Sequence, residues 1–85
     1  MKEEKLGVIA HYFNHIGVGI IKIEQGTLQI GDTIRIKGNT TDLTQTVDSM
    51  QIEHLIVQQS AAGTQVGVKL QGPVRQNDTV FKVIA

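Results

Sequence analysis

Three histidines are the side chains with the widest chemical repertoire here: His11, His15 and His54. His11 and His15 stand four apart, the spacing at which a helix presents two imidazoles to one zinc ion. They flank a segment that reads as a hairpin bend, however, and no carboxylate lies between or beside them. His54 and Glu53 would complete a set only if the fold carried them there, and coordinating residues are normally denser in sequence. No metal site is expected. Ser49 and Ser60 are the only serines, and neither sits in the Gly-x-Ser-x-Gly frame of a nucleophile elbow. The absence of cysteine excludes disulfides, thiolate metal ligands and a thiol nucleophile together. There is no phosphate-binding Walker loop, and Gly17-Val18-Gly19 lacks the third glycine and following helix of a dinucleotide site. The chain reads as a non-enzyme with no cofactor.

Nucleic-acid chemistry is the other class to weigh. Lys22, Arg35, Lys37, Lys69, Arg75 and Lys82 alternate with Glu24, Asp32, Asp48, Glu53 and Asp78, and the 8 basic and 8 acidic side chains cancel. Counterion release therefore supplies little non-specific affinity. One local patch remains: Arg35 and Lys37 share a strand face beside the polar loop formed by residues 38–42. Tyr12 and Phe13 are the only aromatics near a loop, too few for a stacking platform. The plain alternative is that these cations are solvated outer positions.

The elements that must position these groups are strands. Ile 11, Val 9 and Thr 8 make 28 of 85 residues β-branched, side chains that suit a pleated sheet and are penalised in helices. A first strand is expected over 6–13, a bend at Asn14-His15 with Gly17, and a second strand over 16–24. A turn follows at 25–27 and a tighter one at 28–32. Residues 33–37 alternate cleanly, Ile34 and Ile36 inward, Arg35 and Lys37 outward. Residues 38–42 read as an exposed loop. Between 43 and 54, Val47, Met50 and Ile52 read as buried, and their parity requires a bulge or break near Asp48-Ser49. Residues 55–63 fit either a strand end and turn or a single helical turn. Further strands are expected over 65–70 and 79–84, with Gly72-Pro73 between them as a breaker. About six short strands with regular turns point to an all-β, small antiparallel Greek-key barrel.

One frame occurs twice, apolar-x-x-[Gly/Asn]-Asp-Thr-[Ile/Val], at 28–34 and again at 74–80. Gly31 and Asn77 suit positive φ. Asp32 and Asp78 are expected to bond local amides as turn residues rather than to act as catalytic carboxylates. The chain reads as a single domain over 1–85, without a linker. No apolar run reaches the roughly 20 residues of a membrane span, and the charged N-terminus followed by a short apolar run does not read as a signal peptide. A cytoplasmic location with no membrane partner is the expectation.

Two stretches carry a family resemblance. The run Ala62-Gly63-Thr64-Gln65-Val66-Gly67-Val68-Lys69-Leu70-Gln71-Gly72 resembles the Ala-Gly-x-x-Val-Gly-Val-x-Leu-x-Gly signature of the second domain of translational GTPases such as elongation factor Tu. Residues 23–34, with Glu24, Gly26, Leu28, Ile30, Gly31, Asp32 and Ile34, are similar to a second segment of that domain. Residues 6–12 and 44–50 also resemble the C-terminal barrel of the collagenase-like peptidase family, which shares the translation-protein barrel.

The resemblance implies that barrel fold, in a stand-alone elongation-factor-like module without the GTPase domain, so that no nucleotide is bound or hydrolysed. It implies RNA as a partner, tRNA or rRNA, or a ribosome-associated protein. Carried over by position, the binding end comprises Asn14 and His15, Ser49 and Gln51, and Gln65. His15, Ser49 and Gln51 stand where the family carries arginine, glutamate and phenylalanine. Arg35 and Lys37 complete the candidate RNA-binding set. The alternative is a protein–protein adaptor using a sheet face or a strand edge.

Overall fold

The computed structural model describes residues 2–84, which form ten strands: β1 (Lys2–Phe13), β2 (Val18–Ile23), β3 (Thr27–Gln29), β4 (Thr33–Lys37), β5 (Asp42–Thr46), β6 (Met50–Ile52), β7 (Leu55–Ile56), β8 (Gln59–Ala61), β9 (Gln65–Lys69) and β10 (Thr79–Ile84). There is no helix among the described residues, and every strand pairing is antiparallel. Eight strands form one sheet in the order β5-β4-β10-β1-β2-β9-β6-β7, and β3 pairs with β8 alone. The architecture is the expected all-β barrel, with more and shorter strands than the sequence announces.

The differences have local causes. Residues 28–32 do not form one tight turn: Leu28 sits in β3 opposite Ser60 and is fully buried, and the turn is confined to 30–32. The segment 55–63 contains no helical turn; it is β7, then β8, then a turn at Ala62-Gly63. The loop expected over 38–42 is shorter than that, since Thr41 is buried and Asp42 opens β5. Gly17 lies in the first turn at φ 68 rather than in the second strand. The break at 47–49 is where the alternation requires it, carrying the inward phase from Gln45 and Val47 to Met50. Ile52 is only partly buried against the core.

The strand β1 coils around the barrel by two bulges. Its pairing with β10 skips Leu6, and its pairing with β2 skips Ala10. Bulges bend a strand and increase its twist, so the N-terminal strand can pair with β10 along one edge and β2 along the other. Leu6 and Ile9 point into a core that also holds Ile21, Ile23, Leu28, Ile34, Ile36, Met50 and Val80. Burying each such side chain contributes about 1.5–3 kcal/mol.

The repeated turn frame has the same geometry at both sites. Gly31 has φ 96 and Asn77 φ 75. Asp32 Oδ2 accepts a hydrogen bond from the Gln29 amide at 3.0 Å, and Asp78 Oδ2 accepts one from the Arg75 amide at 2.8 Å. Both aspartates are structural. Asp32 also pairs with Lys82 Nζ at 3.2 Å, tying the turn to β10.

The sheet's edge strand β5 is fastened by a side chain. Gln45 Nε2 donates to the Lys69 carbonyl at 2.9 Å, and Gln45 Oε1 accepts from the Gln71 amide at 2.7 Å. The buried amide thus occupies the place of a strand residue where β6 no longer runs beside the end of β9.

Candidate functional site

Directly paired residues in an antiparallel sheet project to the same face, so register defines what the outer surface presents. One row runs His11, Ile20, Gly67, Gln51, Ile56 across β1, β2, β9, β6 and β7. The next runs Phe13, Val18, Lys69. The solvent face of a barrel is ordinarily polar, yet here Phe13 is 45% exposed and Ile56 75% exposed. These rows border an open groove of about 670 Å³. Phe13, Ile16, Val18 and Ile20 make its apolar side; Gln51, Thr64 and Gln65 supply polar groups, with Gly67 between.

The β1–β2 turn closes one end of the groove. Ile16 N–H and Gly17 N–H both donate to the Phe13 carbonyl, at 3.2 and 2.9 Å, and the Leu70 amide donates to the Gly17 carbonyl at 2.7 Å. Asn14 and His15 are exposed on this turn. His11 packs edge-on against the Phe13 ring, with centroids 4.4 Å apart. Thr64 Oγ1 is held by Ser60 Oγ and donates to the Ala61 carbonyl at 2.5 Å.

The β6–β7 hairpin makes the opposite wall, and its tip is unusual. Glu53 and His54, with φ 50 and 68, are both left-handed. A two-residue hairpin turn wants positive φ at both central positions and normally takes Asn-Gly, because a side chain there costs roughly 1–2 kcal/mol. Such conformations concentrate at functional sites, and both residues line the groove. Replacing the tip by Glu53→Asn together with His54→Gly is expected to stabilise the fold by about 1–2 kcal/mol, read as a higher urea midpoint with an unchanged slope.

The structure divides the sequence-derived candidates. Gln51 and Gln65 line the groove, and Asn14 and His15 sit on the turn between two of its lining residues. Ser49 is exposed just before β6 and is not among the lining residues. Arg35 and Lys37 lie on β4, separated from β2 by β10 and β1. Arg35 is committed to carboxylates: its Nε and Nη2 donate to Asp42 at 2.9 and 3.0 Å, and Nη1 to Glu3 at 3.1 Å. These hydrogen bonds, to Asp42 first, raise the guanidinium further above its ordinary range and hold the Asp42 carboxyl below the usual carboxylate range. Lys37 borders a separate shallow depression with Asn39 and Asn77.

Sequence reasoning missed Ile16, Val18, Ile20 and the Glu53-His54 tip as groove residues. The first three carried a signal, since residues 16–21 are apolar on both strand parities and one of those faces must point outward. The tip carried none, because Glu-His resembles no turn signature. Among the described residues no group of His, Asp and Glu converges as a metal set would.

Comparison with known proteins follows the same lines as this geometry. The family model for elongation factor Tu domain 2 matches residues 17–81. An uncharacterized protease of Methanocaldococcus jannaschii is 38% identical over 78 residues, covering 91% of this chain and 19% of that protein. A collagenase of Porphyromonas gingivalis is 33% identical over 72 residues, 84% of this chain and 20% of its own length. The chain thus spans about a fifth of the length of these curated relatives. Among solved structures, the C-terminal domain of a Geobacillus thermoleovorans protein described as a U32 peptidase superposes with a TM-score of 0.87 at 17% identity, covering 95% of this chain and 93% of that one.

Proposed function

We propose that this chain, since it belongs to the elongation factor Tu domain 2 family, acts as a non-enzymatic module that binds tRNA or rRNA, or a translation-associated ribonucleoprotein. It corresponds to a barrel of the kind found as the C-terminal domain of the U32 peptidase structure, here without catalytic machinery of its own. The binding surface is the groove between the β1–β2 turn and the β6–β7 hairpin.

One observation carries this reading: Phe13, 45% exposed, lines a groove whose polar lining residues include Gln51 and Gln65. An unpaired base presents an apolar face and a hydrogen-bonding edge. Proteins recognise single-stranded RNA ends by stacking the first and bonding the second, and a primary amide both donates and accepts. Asn14 on the adjoining turn adds a third amide.

Titrating unfractionated tRNA into the labelled chain at low salt should shift the backbone amides of Asn14, His15 and Gln65. Phe13→Ala should weaken binding by roughly tenfold, since stacking one base on an aromatic is worth about 1–3 kcal/mol. Unmoved amides at all three positions would end the RNA reading.

The adaptor alternative has one observation in its favour. Leu55 and Ile56 are 70% and 75% exposed on β7, at the free edge of the eight-stranded sheet. A protein partner that survives nuclease digestion and is released by Ile56→Lys would select this reading over RNA.

A further inference from the structure

The outer face of β2, β9, β6 and β7 is divided by charge. Lys22 and Lys69 stand on its β2–β9 half, while Asp48 and Glu53 stand on the segments leading into and out of β6. All four are exposed, and none of them joins an ion pair among the described residues. Elsewhere the chain pairs such groups internally: Lys5 with Glu24, Arg35 with Glu3 and Asp42, Lys82 with Asp32. Across both halves runs the row Ile20, Gly67, Gln51, Ile56, and β7 is the free edge of the sheet. Ile56 is exposed at the acidic end of that row, and Ile20 is partly exposed at the basic end.

A face that is basic on one half and acidic on the other complements itself when two copies meet about a two-fold axis. An axis lying in the face, parallel to the strands and midway between β9 and β6, exchanges β9 with β6 and β2 with β7. In the central row Ile20 then meets the partner's Ile56, and Gly67 meets the partner's Gln51. Gly67 has no side chain to hold the two sheets apart; a Cβ there would touch Val18, Ile20 and the Gln51 carbonyl, so the position is a dimple. Two residues along the strands to either side, the same exchange sets Lys69 opposite the Asp48-Ser49 segment and Lys22 opposite the Glu53-His54 tip. An axis along β9 itself would set Lys69 on Lys69, so the charges select the axis displaced toward β6.

We propose that the chain forms a weak homodimer through this face, in which Ile20 packs on the partner's Ile56 and Lys69 pairs with the partner's Asp48. Four strands about 4.8 Å apart, over three such levels, span on the order of 400 Å² in projection. Accessible area exceeds projected area, so burial approaches the roughly 600 Å² per copy at the low end of specific interfaces. The dimer goes beyond the RNA reading and does not need it. The two share a surface, however, because the second copy covers Gln51 and Gln65; pairing and RNA binding exclude one another.

Sedimentation equilibrium of the whole chain without nucleic acid, from about 10 μM to about 1 mM, brackets the affinity of so small an interface. The mass should rise from 9.3 kDa toward twice that value. Ile56→Lys and Lys69→Glu, both at exposed positions, should each weaken pairing by about tenfold or more without lowering the melting temperature. The double reversal Asp48→Lys/Lys69→Glu should restore pairing, which a merely destabilised fold would not do. A mass of 9.3 kDa throughout, pairing that either single variant leaves intact, or a double reversal that fails to restore it would overturn the dimer. The tRNA titration at Asn14, His15 and Gln65 is read at concentrations below pairing, so its failure would end the RNA reading and leave the dimer standing.

Discussion

Gly7→Ala is expected to lower stability by about 3–5 kcal/mol, a large share of what a chain of this size has. Gly7 follows the bulge at Leu6, where β1 turns from β10 toward β2. A Cβ at this position would lie 1.9 Å from the Lys22 backbone carbonyl oxygen and 3.2 Å from the Ile23 Cα. Neither obstacle is a flexible side-chain end, so β1 and β2 would have to separate while β10 holds β1 from the other side. Overpacking a core by a methylene typically costs about 1–3 kcal/mol; forcing two paired backbones apart exceeds that. Domains are stable by about 0.05–0.15 kcal/mol per residue, which for 85 residues gives roughly 4–13 kcal/mol. At about 4–8 °C per kcal/mol in a domain this small, the melting temperature should fall by roughly 15–30 °C. Gly67→Ala is the matched control, since its nearest contacts would be 3.4 and 3.5 Å, to the Val18 and Ile20 side chains. It should melt within a few degrees of the unchanged chain. Equal losses in both variants would mean that strand glycine itself, and not the approach of Lys22, sets the cost.

That requirement at Gly7 was invisible in the sequence, whereas the turn chemistry was plain. The paired frames at Asp32 and Asp78 are local, each aspartate bonding an amide three residues back, and local chemistry can be read from a short window. The break at 47–49 was legible for the same reason: inward parity changes between Val47 and Met50 within four residues. Gly7 meets a carbonyl fifteen residues away, and only the bulge in β1 brings the two together. Leu28 was misplaced because a three-residue strand is too short to show alternation; its burial depends on β8, over thirty residues later.

The candidate site divides the same way. Asn14, His15, Gln51 and Gln65 were named through family resemblance rather than through periodicity, and the register of four strands is what brings them to one groove. Arg35 looked like a free cation because its acidic partners, Glu3 and Asp42, lie 32 and 7 residues away. With Arg35 paired to Glu3 and Asp42, the overall charge balance has a spatial meaning: the β4 end of the sheet pairs its charges, and the groove lining carries only Glu53 among its described residues.

Gln45→Leu should cost about 2–4 kcal/mol, although leucine fits the available volume. Gln45 is 6% exposed and serves two backbone groups, the Lys69 carbonyl and the Gln71 amide. Each buried polar group left without a partner costs about 1–3 kcal/mol, and the apolar gain of the leucine offsets only part of two such losses. The urea midpoint should drop accordingly, and the Gln71 amide should exchange with solvent much faster than its neighbours. Gln45→Glu separates hydrogen bonding from packing. Its carboxylate still accepts from the Gln71 amide but opposes the Lys69 carbonyl with a second acceptor. Only the protonated acid restores the missing donor, so the fold raises the introduced group's pKa above the ordinary glutamate value of about 4.3. A raised folded-state pKa contributes stability at low pH that is lost as pH rises through that value. Gln45→Glu should therefore be strongly destabilised at neutral pH and recover as the solution is acidified toward pH 5, while Gln45→Leu shows no such recovery relative to the unchanged chain. Parallel behaviour of the two variants would mean that Gln45 contributes packing alone, and that β5 is held in the barrel without its side chain.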